Sequence, residues 1–333
     1  MIDAKNPREL LLVELEQIRV VDHHAHGILR EPPSTLDEFR GLFSESPDPR
    51  QWPHVASGLT YRCAIRELAD FFGLPPTEDA VYQHRLTAMD PAEYTATLLR
   101  ATNTDWLLVD VGFPATGTTW DELGELADCA ARPVLRIESL DEIRDEVAAA
   151  RANGFVALKT IAAYRGGLDR VCESVVTALE ANEATGEPLP VQVHCGFGDS
   201  DLWLARADPS HLKPLIERFA ETTFVLLHCY PFVREAGWLA HVYGNVFFDL
   251  SLTIPHVSRP SEMVRQALEL APVSKLLYAS DAARTPELYF LAAKWWREAL
   301  AEALGETLDS ADSERAARRI LRDNALAVYR LNV

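Results

Sequence analysis

Eight short apolar runs, most of them separated by stretches of helical periodicity, restrict this chain more than any other feature. The first lies around 18–21, and the others at 106–110, 133–137, 155–160, 190–194, 224–228, 246–250 and 276–280. Strands buried on both faces read as continuous apolar runs of this length rather than as an alternation. Strands alternating with helices imply parallel pairing through crossovers, and eight such units predict an α/β fold, the (β/α)8 TIM barrel. A chain of 333 residues is long for a barrel of 200–250. The surplus falls at about 28–104, where no convincing strand occurs. The expectation is therefore one domain over 1–333, with a helical cap inserted after the first strand. The insertion opens with a Pro-rich loop around Pro32, Pro33 and residues 47–53, then reads as helices at 58–72, 77–89 and 90–102. Gly73 stops the first of these, and Asp90-Pro91 opens the last. Asn6-Pro7 predicts the start of an N-terminal helix to about Gln17. Ser139 and Glu142 read as a capping box opening a helix to about Asn153.

Charge and cysteine content narrow the classes of partner. The chain carries 32 basic against 50 acidic residues, a formal net charge of −18. That sign argues against nucleic acid or an anionic membrane surface, both of which select basic patches. No apolar run approaches the roughly 18 residues that a membrane span requires. The first residues, Met1 to Lys5, lack the apolar core of a signal peptide. Cys63, Cys129, Cys172, Cys195 and Cys229 are odd in number and form no CxxC pair, which predicts reduced thiols and a cytoplasmic protein.

The ends of the runs carry the chemistry. His24 and His26 follow the first, and period-two alternation aims both the same way. His194 ends the run at 190–194, His228 ends the one at 224–228, and Asp281 follows the last. A parallel barrel gathers all its strand C-termini on one face, where active sites lie. Imidazoles with a carboxylate suit Zn²⁺ or a similar first-row ion. Lys159 sits at the end of the fourth run. It reads either as a salt-bridged or snorkelling lysine, or as a desolvated amine able to take up CO₂ as a carbamate bridging two metals. His23 is expected by parity to point away from the pocket. His54, His84, His211, His241 and His256 lie in helices or loops and read as background.

The order His-x-His, Lys, His, His, Asp at strands one, four, five, six and eight resembles that of the amidohydrolase superfamily. Its amidohydrolase-2 branch is nearer in detail, and nearer still is the amidohydrolase part of proteins fused to glutamine-synthetase-like domains. The segments VVDHHAHG, GLTYRCAIRELADFFG, LKTIAAYRGGLDR, VQVHCGFGDSDL, LLHCYPFVREAGWLA, LLYASDA and ILRDNALAVYRL carry the resemblance across nearly the whole chain. It implies one or two divalent transition-metal ions (Zn, Mn or Fe) held by His24, His26, Lys159, His194, His228 and Asp281. Such an ion lowers the pKa of water from 15.7 to about 7. Asp281, His228 and Lys159 are then the expected catalytic residues, Asp281 taking a proton from water and passing it to the leaving group. His194 and His228 are left as ligands to a second ion, or one of them polarises a carbonyl. The implied reaction is hydrolysis of an amide or related C–N bond of a small organic acid, a γ-glutamyl amide for example. The same ligands also admit a non-heme diiron monooxygenase acting on a CoA-linked or other secondary-metabolite substrate, or a non-oxidative decarboxylase, because fold and ligand set are reused across chemistries.

Substrate contacts are read from the loops beyond the strand ends. Arg165, in a Gly-flanked loop with Tyr164, can clamp an anionic group in two-pronged fashion or tie down its own loop. The expected partner is a small molecule with an anionic group, and a homo-oligomer stays open. Asp199 and Asp201 read as supports or helix caps, and Arg234-Glu235 as an internal ion pair. Cys195 and Cys229 read as buried structural thiols. Trp52, Tyr61, Phe71 and Phe72 of the insertion either line an apolar pocket or pack the cap helices.

Overall fold

The structure, a computed structural model, describes residues 7–87 and 90–332. The expected cap at Asn6, the end of the helix at Met89 and the leading Met1 to Lys5 lie outside the described residues. Eight strands form one parallel sheet in sequence order: β1 (Val20–Ala25), β2 (Thr104–Asp110), β3 (Ala130–Arg136), β4 (Ala157–Thr160), β5 (Val191–Cys195), β6 (Phe224–His228), β7 (Val246–Asp249) and β8 (Leu276–Leu277). The sheet closes beyond the short β8, where Asp281 N donates to His24 O and His26 N donates to Ala282 O, both at 2.9 Å. The architecture is the expected (β/α)8 barrel. Closure at this point sets Asp281 beside the two β1 histidines.

The inside of the barrel is layered. Val21, Leu108, Val134, Ala157, Val225, Leu227 and Leu277 fill its lower part, and Ala325 and Tyr329 from the final helix (Asn324–Tyr329) plug the floor. Above them the filling turns polar, with His23, Gln192 and Asp249 all fully buried. Most of the remaining apolar burial lies between the strands and the outer helices. A polar layer in the middle of a barrel is costly unless each group is paired, so its pairing identifies what the layer supports.

Among the described residues, the insertion between β1 and β2 holds five helices: Leu36–Gly41, Trp52–Val55, Leu59–Phe72, Glu78–Thr87 and Pro91–Ala101. The last takes a place in the outer ring, packed between Trp120–Ala127 and Pro286–Gly305. Leu59–Phe72 leans on Pro286–Gly305, where Phe71 and Phe290 have ring centroids 4.6 Å apart. A buried ion pair, Arg85 Nε to Glu287 at 3.2 Å, ties the insertion to the barrel, and the Tyr94 hydroxyl donates to the same carboxylate at 3.0 Å. The four aromatics considered for an apolar pocket are used in this packing. Phe72 stacks on Tyr94, the Tyr61 hydroxyl donates to Glu78, and Trp52 Nε1 donates to Ser46 O.

The capping box expected at Ser139 does not form. Ser139 Oγ donates to Arg136 O, and the carboxylate of Glu146 takes the Asp141 and Glu142 amides instead. The helix there runs only Ile143–Ala149. A reciprocal box does form at Thr119 and Glu122, ahead of Trp120–Ala127.

Candidate metal centre

The residues at the strand ends converge. His24 and His26 bring Nε2 to one oxygen, Asp281 Oδ1, at 3.0 and 3.2 Å. Strict alternation fails just before them, because the pairing of β1 with β2 slips between Asp22 and Ala25. His23, expected to point away, therefore also faces the barrel interior. It lies beneath the pocket, with Nε2 3.0 Å from Asp249 Oδ2 and Nδ1 3.0 Å from the Tyr329 hydroxyl.

The neighbours of His24 fix where its proton sits. Gln192 Nε2 donates to the His23 carbonyl at 2.7 Å and to the Tyr329 hydroxyl at 3.1 Å. A carbonyl can only accept, so the amide oxygen of Gln192 faces His24 Nδ1 at 2.8 Å, and Nδ1 carries the proton. His24 Nε2 is then a bare lone pair opposite a carboxylate oxygen. Two acceptors at this distance repel each other unless a cation lies between them. Asp281 Oδ1 is buried and receives no hydrogen bond. One ligand atom from each of His24, His26 and Asp281 lies within 4.8 Å of the others. Two imidazoles and a carboxylate suit a first-row dication. Lys159, almost fully buried, reaches the same place with Nζ 3.0 Å from His24 Nε2 and 3.7 Å from Asp110 Oδ2.

The second pair of histidines is set differently. His228 Nδ1 is held by Ser251 Oγ at 2.8 Å and lies 3.5 Å from the Leu252 amide, which leaves Nε2 free. His228 Nδ1 is 3.5 Å from Asp281 Oδ2. The His194 ring lies 4.5 Å from that of His228 and 4.7 Å from that of Tyr164, and its Nε2 is buried without a partner. A side chain at Gly198 would collide with the Tyr164 hydroxyl, so glycine there lets Tyr164 lie against His194. His228 and Asp281 hold φ of +67° and +48°, a region non-glycine residues rarely occupy and one found at functional sites.

Burial dominates the electrostatics. It pulls His24 down to about 4 and His194 to about 3, and takes His228 well below the usual histidine range. All three are neutral at pH 7, as ligation requires. Burial alone would raise Asp281, but His228, His24 and His26 outweigh it and hold the carboxylate well below its ordinary value. Burial also lowers Lys159 from the usual lysine range, against the opposing pull of Asp110 and Asp281.

A pocket of about 230 Å³ opens above these groups, walled by His26, Lys159, His194, His228 and Asp281 and also by Arg136, Tyr164, Arg165, Glu45 and Arg284. Among the described residues of the insertion, only Glu45 lines it. Arg136 was not singled out in the sequence, although it ends β3, as Asp110 ends β2. The buried Asp110 carboxylate grips Arg136 at Nε and Nη2, at 3.2 and 2.6 Å. Arg284 donates to Ser44 O at 2.9 Å and to Glu45 at 3.3 Å, joining the loop after β8 to the insertion. Arg165 is exposed and makes one long contact, Nη1 to Tyr164 O at 3.4 Å. Asp199 accepts from Asp201 N at 2.9 Å, and both line the pocket. Arg234 pairs with Glu269 at 3.1 Å, a residue outside its own helix. Cys195 and Cys229 are buried thiols, as expected. His256 Nδ1 binds Leu252 O at 2.9 Å, with Nε2 3.9 Å from Glu45.

Known proteins share this fold. A family model described as Amidohydrolase matches residues 21–331. A protein of Lactobacillus casei ATCC 334, provisionally described as a metal-dependent hydrolase, superposes with a TM-score of 0.82 at 28% identity, covering 97% of this chain and 99% of that one. Protein fluG of Emericella nidulans is 37% identical over 172 residues, which is 49% of this chain but 20% of that protein. The matched region thus spans about a fifth of that relative. A uronate isomerase of Bacillus halodurans C-125 shares the fold at 15% identity and a TM-score of 0.66, covering 99% of this chain and 98% of that one. No helix among the described residues is long and apolar enough to cross a membrane. With the family model spanning nearly its whole length, the chain belongs to the amidohydrolase family, in the amidohydrolase-2 branch.

Proposed function

We propose that this protein is a metal-dependent hydrolase that cleaves an amide or related C–N bond of a small organic acid. The observation that carries this reading is the meeting of His24 Nε2, His26 Nε2 and Asp281 Oδ1 at one buried point, within 4.8 Å of one another. A divalent ion held by these residues, with Lys159, His194 and His228 close by, supplies Lewis acidity and a water of lowered pKa. The chain's own groups do the rest. Asp281, ionised by its surroundings, accepts a proton and returns it to the leaving nitrogen. His228 presents a free Nε2 to the pocket, its other nitrogen being fixed by Ser251. Arg136, held in two-pronged fashion by Asp110, keeps Nη1 for the carboxylate of the substrate. A volume of about 230 Å³ suits a small molecule.

The fold also houses an isomerase at low identity, so the fold alone does not select the reaction. Elemental analysis of protein purified without added metal, followed by assay of a panel of γ-glutamyl and N-acyl amides for released amine, tests the reading. The expected result is zinc or manganese at one or two ions per chain and amine release abolished by a chelator. Two irons per chain with oxygen-dependent turnover, or CO₂ release from a carboxylic acid without hydrolysis, overturns it.

A further inference from the structure

A second, larger cavity of about 670 Å³ lies at the opposite end of the barrel. Val156, Pro190, Thr223 and Lys275, which line it, stand immediately before β4, β5, β6 and β8, so the cavity occupies the floor and lies far from the strand ends that hold the metal centre. Its charge runs against that of the chain. On a protein of net charge −18, the cavity is lined by Arg151, Lys275, Arg319 and Arg330 against Glu187 and Glu221. None of the four cations pairs with a carboxylate among the described residues. Arg151 donates to the Glu187 carbonyl at 3.1 Å, and Lys275 donates to the Gly244 carbonyl while lying over the Phe247 ring. Elsewhere the arginines are mostly spent: Arg265 alone engages Glu302 and Glu306, and Arg40 binds Asp37 and Glu78.

Arg319 begins a five-residue π-helical turn, Arg319–Asp323, a rare conformation that recurs at functional sites. The helix that follows ends at Tyr329, which lines the cavity from above. From there, hydrogen bonds run up the barrel axis. The Tyr329 hydroxyl accepts from Gln192 Nε2 at 3.1 Å, and Gln192 Oε1 accepts from His24 Nδ1 at 2.8 Å. Two residues, Tyr329 and Gln192, therefore link the floor to a metal-competent histidine.

We propose that the floor cavity is a regulatory binding site for a small polyanion, phosphate-bearing or polycarboxylate, and that its occupancy reaches the metal centre through Tyr329 and Gln192. Unpaired guanidinium groups around one cavity recognise such groups by charge and by paired N–H donors. Binding does not depend on the proposed reaction. Its effect at the metal centre rests on the reading of His24 as a ligand, so the two are measured separately.

Titration calorimetry of the metal-loaded protein with inorganic phosphate measures binding. The expected result is affinity that falls as ionic strength rises and weakens at least about tenfold in Lys275→Ala/Arg319→Ala, roughly 1.4 kcal/mol. Equal affinity in the wild type and the double variant overturns the site. If the double variant does not fold, Arg319→Glu takes its place, since that side chain is exposed. The second measurement is the rate at which a chromogenic chelator strips the metal, with and without phosphate. Phosphate is expected to change that rate in the wild type and to lose at least half of the effect in Tyr329→Phe. An identical phosphate effect in the two proteins overturns the link.

Discussion

The two halves of the metal centre are held by opposite means. On the β1, β4 and β8 side, His24 Nε2, His26 Nε2 and Asp281 Oδ1 come together at one point, with Lys159 pressed against them. On the β5 and β6 side, His194 and His228 are neutral rings packed against each other and Tyr164, and His228 is anchored by Ser251. The first gathers two imidazole nitrogens and a carboxylate oxygen at one point, whereas the second holds His228 Nδ1 no nearer than 3.5 Å to the Asp281 carboxylate and leaves His194 Nε2 without a partner. The difference suggests where an ion binds first: on the β1 side, with the β5–β6 side completing or using the site.

Removing the β1 side should therefore do most damage. His24→Ala/His26→Ala is expected to retain almost no metal and to lose all measurable turnover while keeping the secondary structure of the barrel, which elemental analysis and circular dichroism check together. An ion at a thousandfold excess over its Kd stabilises the folded state by about 4.1 kcal/mol. Chelator should accordingly lower the melting temperature of the wild type but not of the double variant. Stoichiometric metal in the double variant would erase the distinction between the halves.

Asp281 bridges them, since Oδ1 faces the β1 histidines and Oδ2 lies 3.5 Å from His228 Nδ1. Asp281→Asn keeps the shape and removes the basic oxygen. Metal should persist in part, while turnover falls by about 10²–10⁴, the range for lost general base catalysis. Near-normal turnover would move the proton transfer to another group, His228 being the neighbour placed to take it.

Gln192 sharpens the comparison from beneath. Its amide fixes the tautomer of His24 but, among the described residues, hydrogen-bonds neither His194 nor His228. Gln192→Leu should weaken metal affinity by about 10–100-fold, as lost support of a ligand does. Turnover at saturating metal should fall much less. A loss of turnover that added metal cannot rescue would mean that Gln192 supports the reaction by another route.

Sequence reading recovered the barrel because its strands are buried on both faces and therefore continuous in hydrophobicity. It recovered the convergence of His24, His26, His194, His228 and Asp281 because a parallel barrel converts strand order into spatial proximity. The same rule applies to Asp110, the last residue of its strand, whereas Arg136 stands one residue short of the end expected at 137 and takes its place only because β3 stops there. Gln192 was also legible, since it lies two residues before His194 on one strand face. Other features were not. The facing of His23 depends on a slip in β1 pairing that no local pattern announces. The contact of Arg284 with Glu45 joins residues 239 apart in sequence, and only tertiary packing brings them together. The failed box at Ser139 shows local chemistry being outbid, since Glu146 takes the Glu142 amide, which the box would have used, from within the helix.

The smallest expected effect separates two arginines on the pocket wall. Arg136 is oriented by a buried carboxylate, whereas Arg165 is exposed and held by one long contact to Tyr164 O. If Arg165 clamps an anionic group, Arg165→Lys raises KM, because lysine cannot reproduce a planar two-pronged contact. Loss of one charge-assisted hydrogen bond, about 1.5–3 kcal/mol, sets an upper range of roughly 10–150-fold, and exposure to solvent places the expected value at its low end. The melting temperature should not move, since the single contact at 3.4 Å gives this side chain little to do in the fold. Arg136→Lys should raise KM more, because it also loses the two-pronged contact with the buried Asp110 carboxylate, and it should lower the melting temperature as well. Measuring KM and melting temperature on both variants distinguishes a clamp from a loop tie. A destabilised Arg165→Lys with normal KM would remove Arg165 from the substrate site and leave Arg136 as its anion anchor.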